Sequence, residues 1–291
     1  MLGSIRGDVR FKEPISFYTS LRLGGPADIL IMPQDVDDIR HALQFVDRER
    51  LPLTMLGGGS GVLVRDRGIR GVVIKLDGCL RRVEFQGEEA VAGAAVGVSS
   101  LIREAAAQDL GGLECLAGIP GTVGGALAMN AHSESGGIGD VVTAVYIVQP
   151  DGTLDEIKLQ DVGPRPATFQ VEPNAIVVGC RLRLRRRPRR DVQADVGRRL
   201  KLKKRCEPLV LASAVIWQDP PGMTAAALID KAGVRGKRVN GAEIAVKHPN
   251  FIINRGGASS ADVLALMDLV RERVRTTSGV TLQHMIRVVG E

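Results

Sequence analysis

Length, composition and charge exclude several classes of protein. With 291 residues the chain exceeds the usual size of one domain, and 44% apolar residues suffice for ordinary buried cores. Only 3% of residues are aromatic, which disfavours single-strand nucleic-acid binding on stacked aromatic side chains. The cysteines are far apart and form no C-x-x-C pair, which argues against a disulfide framework and a metal site; they are Cys79, Cys115, Cys180 and Cys206.

The N-terminal residues and the lengths of the apolar runs indicate the cellular compartment of the protein. The first residues lack a basic start followed by an apolar stretch, so we expect no signal peptide. No uncharged apolar run reaches the roughly 18 residues that a membrane helix needs. We therefore expect a soluble, cytoplasmic monomer with no membrane partner.

Short strands and helices alternate along the first two thirds of the chain. Apolar periodicity predicts strands at 28–32, 53–56 and 71–76 around a helix at 36–48. It then predicts strands at 82–85, 89–92, 140–148, 153–158 and 175–184, with a helix at 98–107. The first β-α-β-loop-β unit predicts a small domain that ends near Gly78, a second α/β segment follows it, and the composition changes after the basic residues at 181–205.

The last third reads mainly as helices. We predict helices at 192–202, 225–231 and 261–276, the last with Ser260 as its N-cap, and a strand at 250–254. Trp217 is assigned to the core. His41, on the polar side of an early helix, has no assigned function.

Basic residues are concentrated between Arg181 and Arg205. Such a run is compatible with a nucleic-acid patch or with an anionic substrate nearby. However, alternation up to Arg185, a break at Pro188 and a helical pattern after it favour an exposed strand and a solvated basic helix. We therefore do not expect a nucleic-acid partner.

Two glycine-rich loops about sixty residues apart are the most informative feature of the chain. They span Leu56–Val64 and Ala117–Gly125, next to apolar strand-like runs. Glycines leave backbone N–H groups open to an anion that approaches the main chain closely. Neither loop matches the P-loop or the Rossmann fingerprint, and two such loops around one ligand suit a pyrophosphate-bridged dinucleotide such as FAD. Tight hairpin turns are the alternative, but turns rarely need so many glycines.

Four stretches of the chain resemble the UDP-N-acetylenolpyruvoylglucosamine reductase (MurB) family, and the resemblance extends from Thr19 to Gly290. They are 19–27 (TSLRLGGPA), 57–64 (GGGSGVLV), 117–130 (AGIPGTVGGALAMN) and 241–254 (GAEIAVKHPNFIIN). The first three also resemble flavoproteins of the vanillyl-alcohol oxidase type, whereas the fourth is nearly specific to the reductase. The region around Val171 to Asn174 resembles the shorter subtype of the family.

The resemblance implies a fold and a function. The fold is α+β, with two FAD-binding subdomains of the vanillyl-alcohol oxidase (PCMH) type, at 1–78 and 79–190, and a C-terminal α+β substrate domain at 191–291. The function is FAD-dependent reduction of the enolpyruvyl group of a UDP-sugar by NADPH, in peptidoglycan precursor synthesis, and no metal is implied. A MurB-like flavoprotein paralogue that binds FAD but has lost or changed this reaction is the alternative.

The same resemblance assigns binding residues. The expected FAD contacts are Gly57, Gly58, Gly59, Ser60, Gly61, Val62, Ile119, Pro120, Gly121, Thr122, Gly124, Gly125, Asn130 and Ile176. The expected substrate contacts are Lys247, His248 and Asn250. A structural histidine that holds its turn is the alternative for His248.

The resemblance is incomplete at the catalytic positions. The family uses an arginine, a proton-donating serine and a supporting glutamate, and only the arginine has a counterpart here, Arg165. Val215 stands at the serine position, or Ile216 in a shifted alignment, and Met285 stands at the glutamate position. Ser213, His284 and water remain open as substitute proton sources. Loss of a general acid reduces a proton-transfer step by roughly 10²–10⁴-fold, so turnover is the open question.

Overall fold

The computed structural model describes residues 2–159, 175–208 and 211–291. The chain divides into two compact units, each built from several chain segments. Unit 1 comprises residues 1–11, 29–58 and 71–201, and unit 2 comprises residues 12–28, 59–70 and 202–291. The three-domain boundaries at 78 and 190 stay a prediction.

Five of the six helices in the described part of the chain overlap the predicted ones, and the third in chain order was not predicted. The helices are α1 Val36–Glu49, α2 Val98–Ala107, α3 Val123–Ala128, α4 Arg189–Cys206, α5 Ala225–Lys231 and α6 Ser260–Ser278. Among the described residues, no helix is both long and apolar enough to cross a membrane.

Two helix starts differ from the sequence prediction. Helix α6 is capped by Ser259, whose side chain accepts a hydrogen bond from the Asp262 N–H while Asp262 bonds back, so Ser260 is its first residue and not its cap. Helix α4 begins at Arg189 because the Pro188 carbonyl accepts bonds from the next turn. Pro188 therefore starts a helix as well as ending a strand.

The strands are short and most of them fall in unit 1. The first nine are β1 Asp8–Pro14, β2 Pro26–Met32, β3 Leu53–Leu56, β4 Val62–Val64, β5 Ile69–Lys75, β6 Val83–Gln86, β7 Glu89–Gly93, β8 Leu110–Gly111 and β9 His132–Ser133. The others are β10 Gly136–Gly137, β11 Val142–Val148, β12 Leu154–Lys158, β13 Ile176–Arg183, β14 Arg185–Arg186, β15 Arg238–Val239, β16 Ala242–Ile244, β17 Ile252–Asn254 and β18 Arg287–Val289. The predicted strand at 140–148 starts two residues later because Ile138–Asp140 forms a 3-10 turn.

Unit 1 is organised by an antiparallel sheet with the order β12-β11-β13-β7-β6. A large apolar cluster packs against it, formed by side chains such as Leu101, Leu127, Val145 and Leu182. A further sheet has the order β1-β2-β5-β3, in which β3 and β5 run parallel. The parallel pair matters for function because β3 leads directly into the first glycine loop.

Unit 2 combines a small sheet, β15-β16-β17, with helices α5 and α6. Its core includes Trp217, Leu228, Ile244 and Leu266, and Trp217 is 2% exposed, as the core assignment predicted. Separately, β4 pairs in parallel with the C-terminal strand β18, Arg287 lying opposite Val62. The last residues of the chain therefore lie beside the second half of the first glycine loop.

Candidate active site

The second glycine loop is held against the end of β7 in unit 1. The Val123 N–H donates to the Val96 carbonyl at 2.8 Å, and the Gly124 N–H donates to the Ala94 carbonyl at 2.9 Å. Gly121 has a φ of +128°, a conformation that side chains disfavour. A Cβ on Gly124 would lie 3.0 Å from the Ala94 Cβ. The glycines thus let this loop pack closely on the strand end.

The two glycine loops meet in unit 1. A Cβ built on Gly58 would lie 2.6 Å from the Gly121 Cα, and one on Gly57 would lie 3.2 Å from the Thr122 Oγ1. The first distance leaves no room for a side chain, so Gly58 is required for main chain to pack on main chain. The Thr122 hydroxyl accepts a hydrogen bond from the Gly125 N–H at 3.3 Å and caps α3. The structure therefore brings together Gly57, Gly58, Gly121 and Thr122, which were predicted from separate stretches.

The second half of the first loop lies in unit 2 and organises different segments. Gly59 has a φ of +68° and faces the Tyr18 carbonyl so closely that a Cβ would overlap it. The Ser60 carbonyl accepts a hydrogen bond from the Ala214 N–H at 3.1 Å, and the Gly61 carbonyl accepts one from the Arg287 N–H at 2.9 Å. A Cβ on Gly61 would meet no atom within 4 Å. Gly61 is thus open on the side where a side chain would stand.

The two segments in which the family has its serine and glutamate pair with each other. The Met285 N–H donates to the Ile216 carbonyl at 2.7 Å, and the Gln218 N–H donates to the Gln283 carbonyl at 2.9 Å. Val215 is 37% exposed, whereas Ile216 is 1% exposed in the apolar core. The exposure supports the alignment that places Val215 at the serine position. Two side chains that cannot donate a proton, Val215 and Met285, therefore lie on adjoining segments beside Ser60 and Gly61.

The candidate substitute proton donors differ in accessibility. Ser213 is buried, and its hydroxyl accepts a hydrogen bond from the Ile252 N–H at 3.0 Å, a contact that fixes the segment. His284 is exposed, with Nδ1 at 2.9 Å from the Ile286 carbonyl and its ring at 6.5 Å from the Trp217 ring, edge to face. Of the two side chains, only the His284 imidazole is open to solvent.

Asn250 holds the Trp217 backbone. Its Oδ1 accepts from the Trp217 N–H at 2.7 Å, and its Nδ2 donates to the Trp217 carbonyl at 2.8 Å. The side chain is 3% exposed. Asn250 therefore positions the segment that carries Val215, and a direct substrate contact by Asn250 stays a prediction.

Lys247 and His248 have structural partners as well. The Lys247 ammonium donates to the Lys204 carbonyl at 2.9 Å, near the end of α4. His248 is half-buried against Phe251, and burial lowers the pKa of its imidazole, which keeps it neutral near pH 7. Such a histidine can donate or accept one hydrogen bond to a sugar but offers no cation to a phosphate. Both substrate assignments stay predictions.

The remaining predicted FAD contacts differ in their exposure. Pro120 is exposed, Val62 and Ile119 are half-buried, and Asn130 adopts a left-handed φ of +42° just after α3. Ile176 is fully buried in an apolar cluster of unit 1, and its contact with FAD stays a prediction. Arg165 lies outside the described residues.

A buried ion cluster, missed by the sequence analysis, supports the fourth family stretch. Glu243, 1% exposed, accepts hydrogen bonds from Arg255 at 2.8 Å and from Arg238 at 2.5 Å. The hydrogen bond from Arg255, followed by that from Arg238, holds the pKa of this carboxyl below its usual range, against the opposing effect of burial. The pairing of strands β15 and β16 is the signal for the contact between Arg238 and Glu243, since the two residues lie opposite each other in that ladder.

The first and fourth family stretches are joined in unit 2. The Asn254 side chain donates to the Leu21 carbonyl at 2.9 Å, and the Thr19 hydroxyl bonds both the N–H and the carbonyl of Leu23. The bond from Asn254 to Leu21 therefore ties the fourth stretch to the first. Among the described residues, no group of three histidine, cysteine, aspartate or glutamate side chains could hold a metal ion.

Two models of known protein families match this chain and define its class of protein. Residues 27–158 match the model of an FAD-binding domain, and residues 209–289 match that of the C-terminal domain of UDP-N-acetylenolpyruvoylglucosamine reductase. The first match covers the second glycine loop and most of unit 1. The chain is thus a flavoprotein of the oxidoreductase class with α+β architecture, as the sequence predicted.

Full-length relatives define the family. The chain is 38% identical to the UDP-N-acetylenolpyruvoylglucosamine reductase of Geobacter metallireducens, over 99% of this chain and 96% of the relative. It is 39% identical to that of Anaeromyxobacter sp., over 99% and 90%. The crystal structure of the Thermus caldophilus reductase (MurB) matches with a TM-score of 0.85 at 31% identity, over 98% of this chain and all of that one. The chain belongs to the UDP-N-acetylenolpyruvoylglucosamine reductase family.

Proposed function

We propose that this protein is an FAD-dependent, NADPH-using reductase that converts UDP-N-acetylglucosamine enolpyruvate to UDP-N-acetylmuramate in peptidoglycan precursor synthesis. The observation that carries the proposal is the meeting of the two glycine loops at Gly58 and Gly121, in a chain that matches the family over its whole length. The reaction adds two electrons and two protons in total. A hydride from NADPH and a proton from a donor saturate the carbon–carbon double bond, and NADP⁺ is released.

The residues present fit a bound dinucleotide. Close main-chain packing at Gly58 and open space around Gly61 are the conditions that a pyrophosphate requires of glycine loops. We assign the pyrophosphate contacts to the main chain of the loop residues from Gly57 to Gly61 and from Gly121 to Gly125. When bound, FAD supplies the hydride transfer between NADPH and the sugar substrate.

Proton delivery is the step in which this chain differs from the family pattern. Reduction of the enolpyruvyl group leaves negative charge beside a carboxylate, and Arg165 is our candidate for stabilising it. Val215 and Met285 cannot deliver a proton. Since Ser213 is buried and His284 is open to solvent, we assign the proton to water or to the His284 imidazole.

A second candidate function has its own supporting observation. The apolar side chains of Val215 and Met285 lie on paired segments beside the first glycine loop, at the positions where the family pattern has a proton-donating serine and a supporting glutamate. A flavoprotein that retains FAD and NADPH but has lost the response to the enolpyruvyl sugar would have this arrangement.

Separate half-reactions distinguish the two candidates. The purified flavoprotein is reduced anaerobically with NADPH, and the flavin absorbance is followed after UDP-N-acetylglucosamine enolpyruvate is added. Reoxidation with a product two mass units heavier than the added sugar supports the reductase. Reduction by NADPH without reoxidation supports the second candidate.

We also infer a cytoplasmic location, because UDP-sugars and NADPH are cytoplasmic metabolites, and a role in cell shape, because the proposed product is a peptidoglycan precursor. The cysteines of the described residues are free thiols, in agreement with a reducing compartment. A monomer stays a prediction that light scattering of the flavoprotein tests.

A further inference from the structure

Helix α4 holds a charge that no step of the proposed reaction uses. It contains eight basic and two acidic residues, a net charge of +6, which equals the formal charge of the whole chain. The remainder of the molecule is therefore neutral overall. This helix is also unusual in packing, because only one of its 18 residues, Val192, is buried.

The acidic partners of α4 lie toward its first half. Asp195 pairs with Arg187 and Arg198, and Arg187 also bonds the buried Glu114 at 2.7 Å. Near its end, Lys203 pairs with Glu207 at 3.2 Å. Within the described residues, no ion pair involves Arg199, Lys201, Lys204 or Arg205. The second half of the helix thus carries cations that the described part of the chain does not neutralise.

An exposed leucine lies among these cations. Residues Arg198, Lys201, Leu202 and Arg205 are spaced i, i+3, i+4 and i+7 and so share one face of this single helix. All four are exposed, and Leu202 is 63% exposed. We call these four residues the α4 face.

We propose that the α4 face docks the protein reversibly on an anionic phospholipid bilayer. Such a surface offers both a layer of negative headgroups and an apolar phase that accepts a leucine side chain. A nucleic acid supplies the negative charge but offers no continuous apolar phase to Leu202. A stable protein interface needs an apolar core larger than one leucine.

Peripheral docking needs no spanning segment. The expectation of no membrane partner rested on the lack of a long apolar run, which bears only on insertion. The proposal is independent of the reductase reaction, because none of the four residues is assigned to cofactor or substrate.

The test is co-sedimentation of the flavin-loaded, full-length protein with vesicles of phosphatidylcholine, alone or with roughly one third phosphatidylglycerol. We expect binding only to the anionic vesicles, with a loss at high salt. The triple variant Arg198→Gln, Lys201→Gln and Arg205→Gln should bind about a hundredfold more weakly, from about fivefold per cation. Leu202→Ala should weaken binding severalfold without changing the salt dependence.

The matched control removes three exposed cations elsewhere, Arg103→Gln, Lys158→Gln and Arg273→Gln, and should bind like the parent protein. Flavin content and NADPH oxidation show that each variant is folded. Any one of three results overturns the proposal. They are equal binding to neutral and anionic vesicles, an equal loss of binding in the control and the triple variant, and tighter binding to a short DNA duplex than to the anionic vesicles.

Discussion

At the scale of single residues, Val215 and Met285 distinguish this chain from the family pattern. Both lie on segments that the first glycine loop holds through the Ser60 and Gly61 carbonyls. Because Val215 is exposed and Ile216 is buried, a polar side chain fits the first position without entering the core. The missing proton donor can therefore be restored by substitution.

The double variant Val215→Ser with Met285→Glu should raise turnover of the enolpyruvyl sugar by up to about 10²-fold, since a positioned general acid contributes roughly 10²–10⁴-fold. Steady-state kcat at saturating NADPH measures the gain. Val91→Ser, with the same 37% exposure in unit 1, is the control and should leave kcat unchanged. A double variant with normal flavin and no gain would show that protonation does not limit turnover.

A substitution at Gly61 tests ligand binding separately from the packing of the loops. Valine at Gly58 would clash with Gly121, so its failure to bind FAD would be confounded by misfolding. A Cβ at Gly61 meets no described atom within 4 Å, so a small side chain there should obstruct a ligand rather than the packing of the loop. We expect Gly61→Val to lower FAD affinity by at least tenfold while the melting temperature of the flavin-free protein stays unchanged.

Fluorescence titration of flavin-free protein with FAD measures this loss. Gly3→Val is the matched control, because its side chain also enters open space, in the N-terminal 3-10 turn. Equal FAD affinity in Gly61→Val and the parent protein would remove Gly61 from the cofactor site.

At the scale of elements, the β15-β16-β17 sheet depends on the Glu243 ion cluster. Without the carboxylate, the two arginines are still partly exposed and can be hydrated, so neither becomes a buried unpaired charge. The main loss of stability is therefore that of the charged hydrogen bonds to Glu243. Glu243→Gln should lower the free energy of unfolding at pH 7 by about 1–3 kcal/mol. Urea unfolding measures it, and Glu272→Gln, which breaks an exposed pair with Arg275, should cost less than about 1 kcal/mol.

The same cluster sets a pH dependence. The folded pKa of Glu243 lies below the ordinary value of 4.5, so its stabilisation is present above that value and is lost as the pH falls through the folded pKa. The stability difference between the parent protein and Glu243→Gln should therefore shrink below about pH 4.5. A difference that stays constant down to pH 3 would contradict this assignment.

Elements with strong apolar periodicity were predictable, and those fixed by capping or by tertiary contacts were less so. Helices α1, α2 and α5 lie within a residue of prediction because their buried faces repeat regularly. Strand β1 was missed because most of its side chains are exposed, which leaves no alternation to detect. The N-cap of α6 is Ser259 and not the predicted Ser260, because the local sequence does not show which of two adjacent serines caps the helix.

At the scale of the whole molecule, the described units are built from interleaved chain segments. The first glycine loop illustrates this organisation, because Gly57 and Gly58 belong to unit 1 whereas Gly59 to Val64 belong to unit 2. The boundary at 78 follows from the first β-α-β-loop-β pattern and the boundary near 190 from the family resemblance, and both divide the chain into consecutive pieces. Sequence reasoning predicted the glycine loops well, since glycine is required by backbone geometry, but not the pairing of 216–218 with 283–285, which depends on distant segments.

Reduction of the enolpyruvyl group of a UDP-sugar with electrons from NADPH is the reaction that we propose for this chain. The most direct measurement is steady-state NADPH oxidation by the FAD-loaded protein, with and without UDP-N-acetylglucosamine enolpyruvate, with the product identified by mass. We expect sugar-dependent oxidation with one UDP-N-acetylmuramate formed per NADPH consumed, at a rate limited by proton delivery. Oxidation that ignores the sugar and forms no UDP-N-acetylmuramate, in a protein with full flavin content, would contradict the proposal.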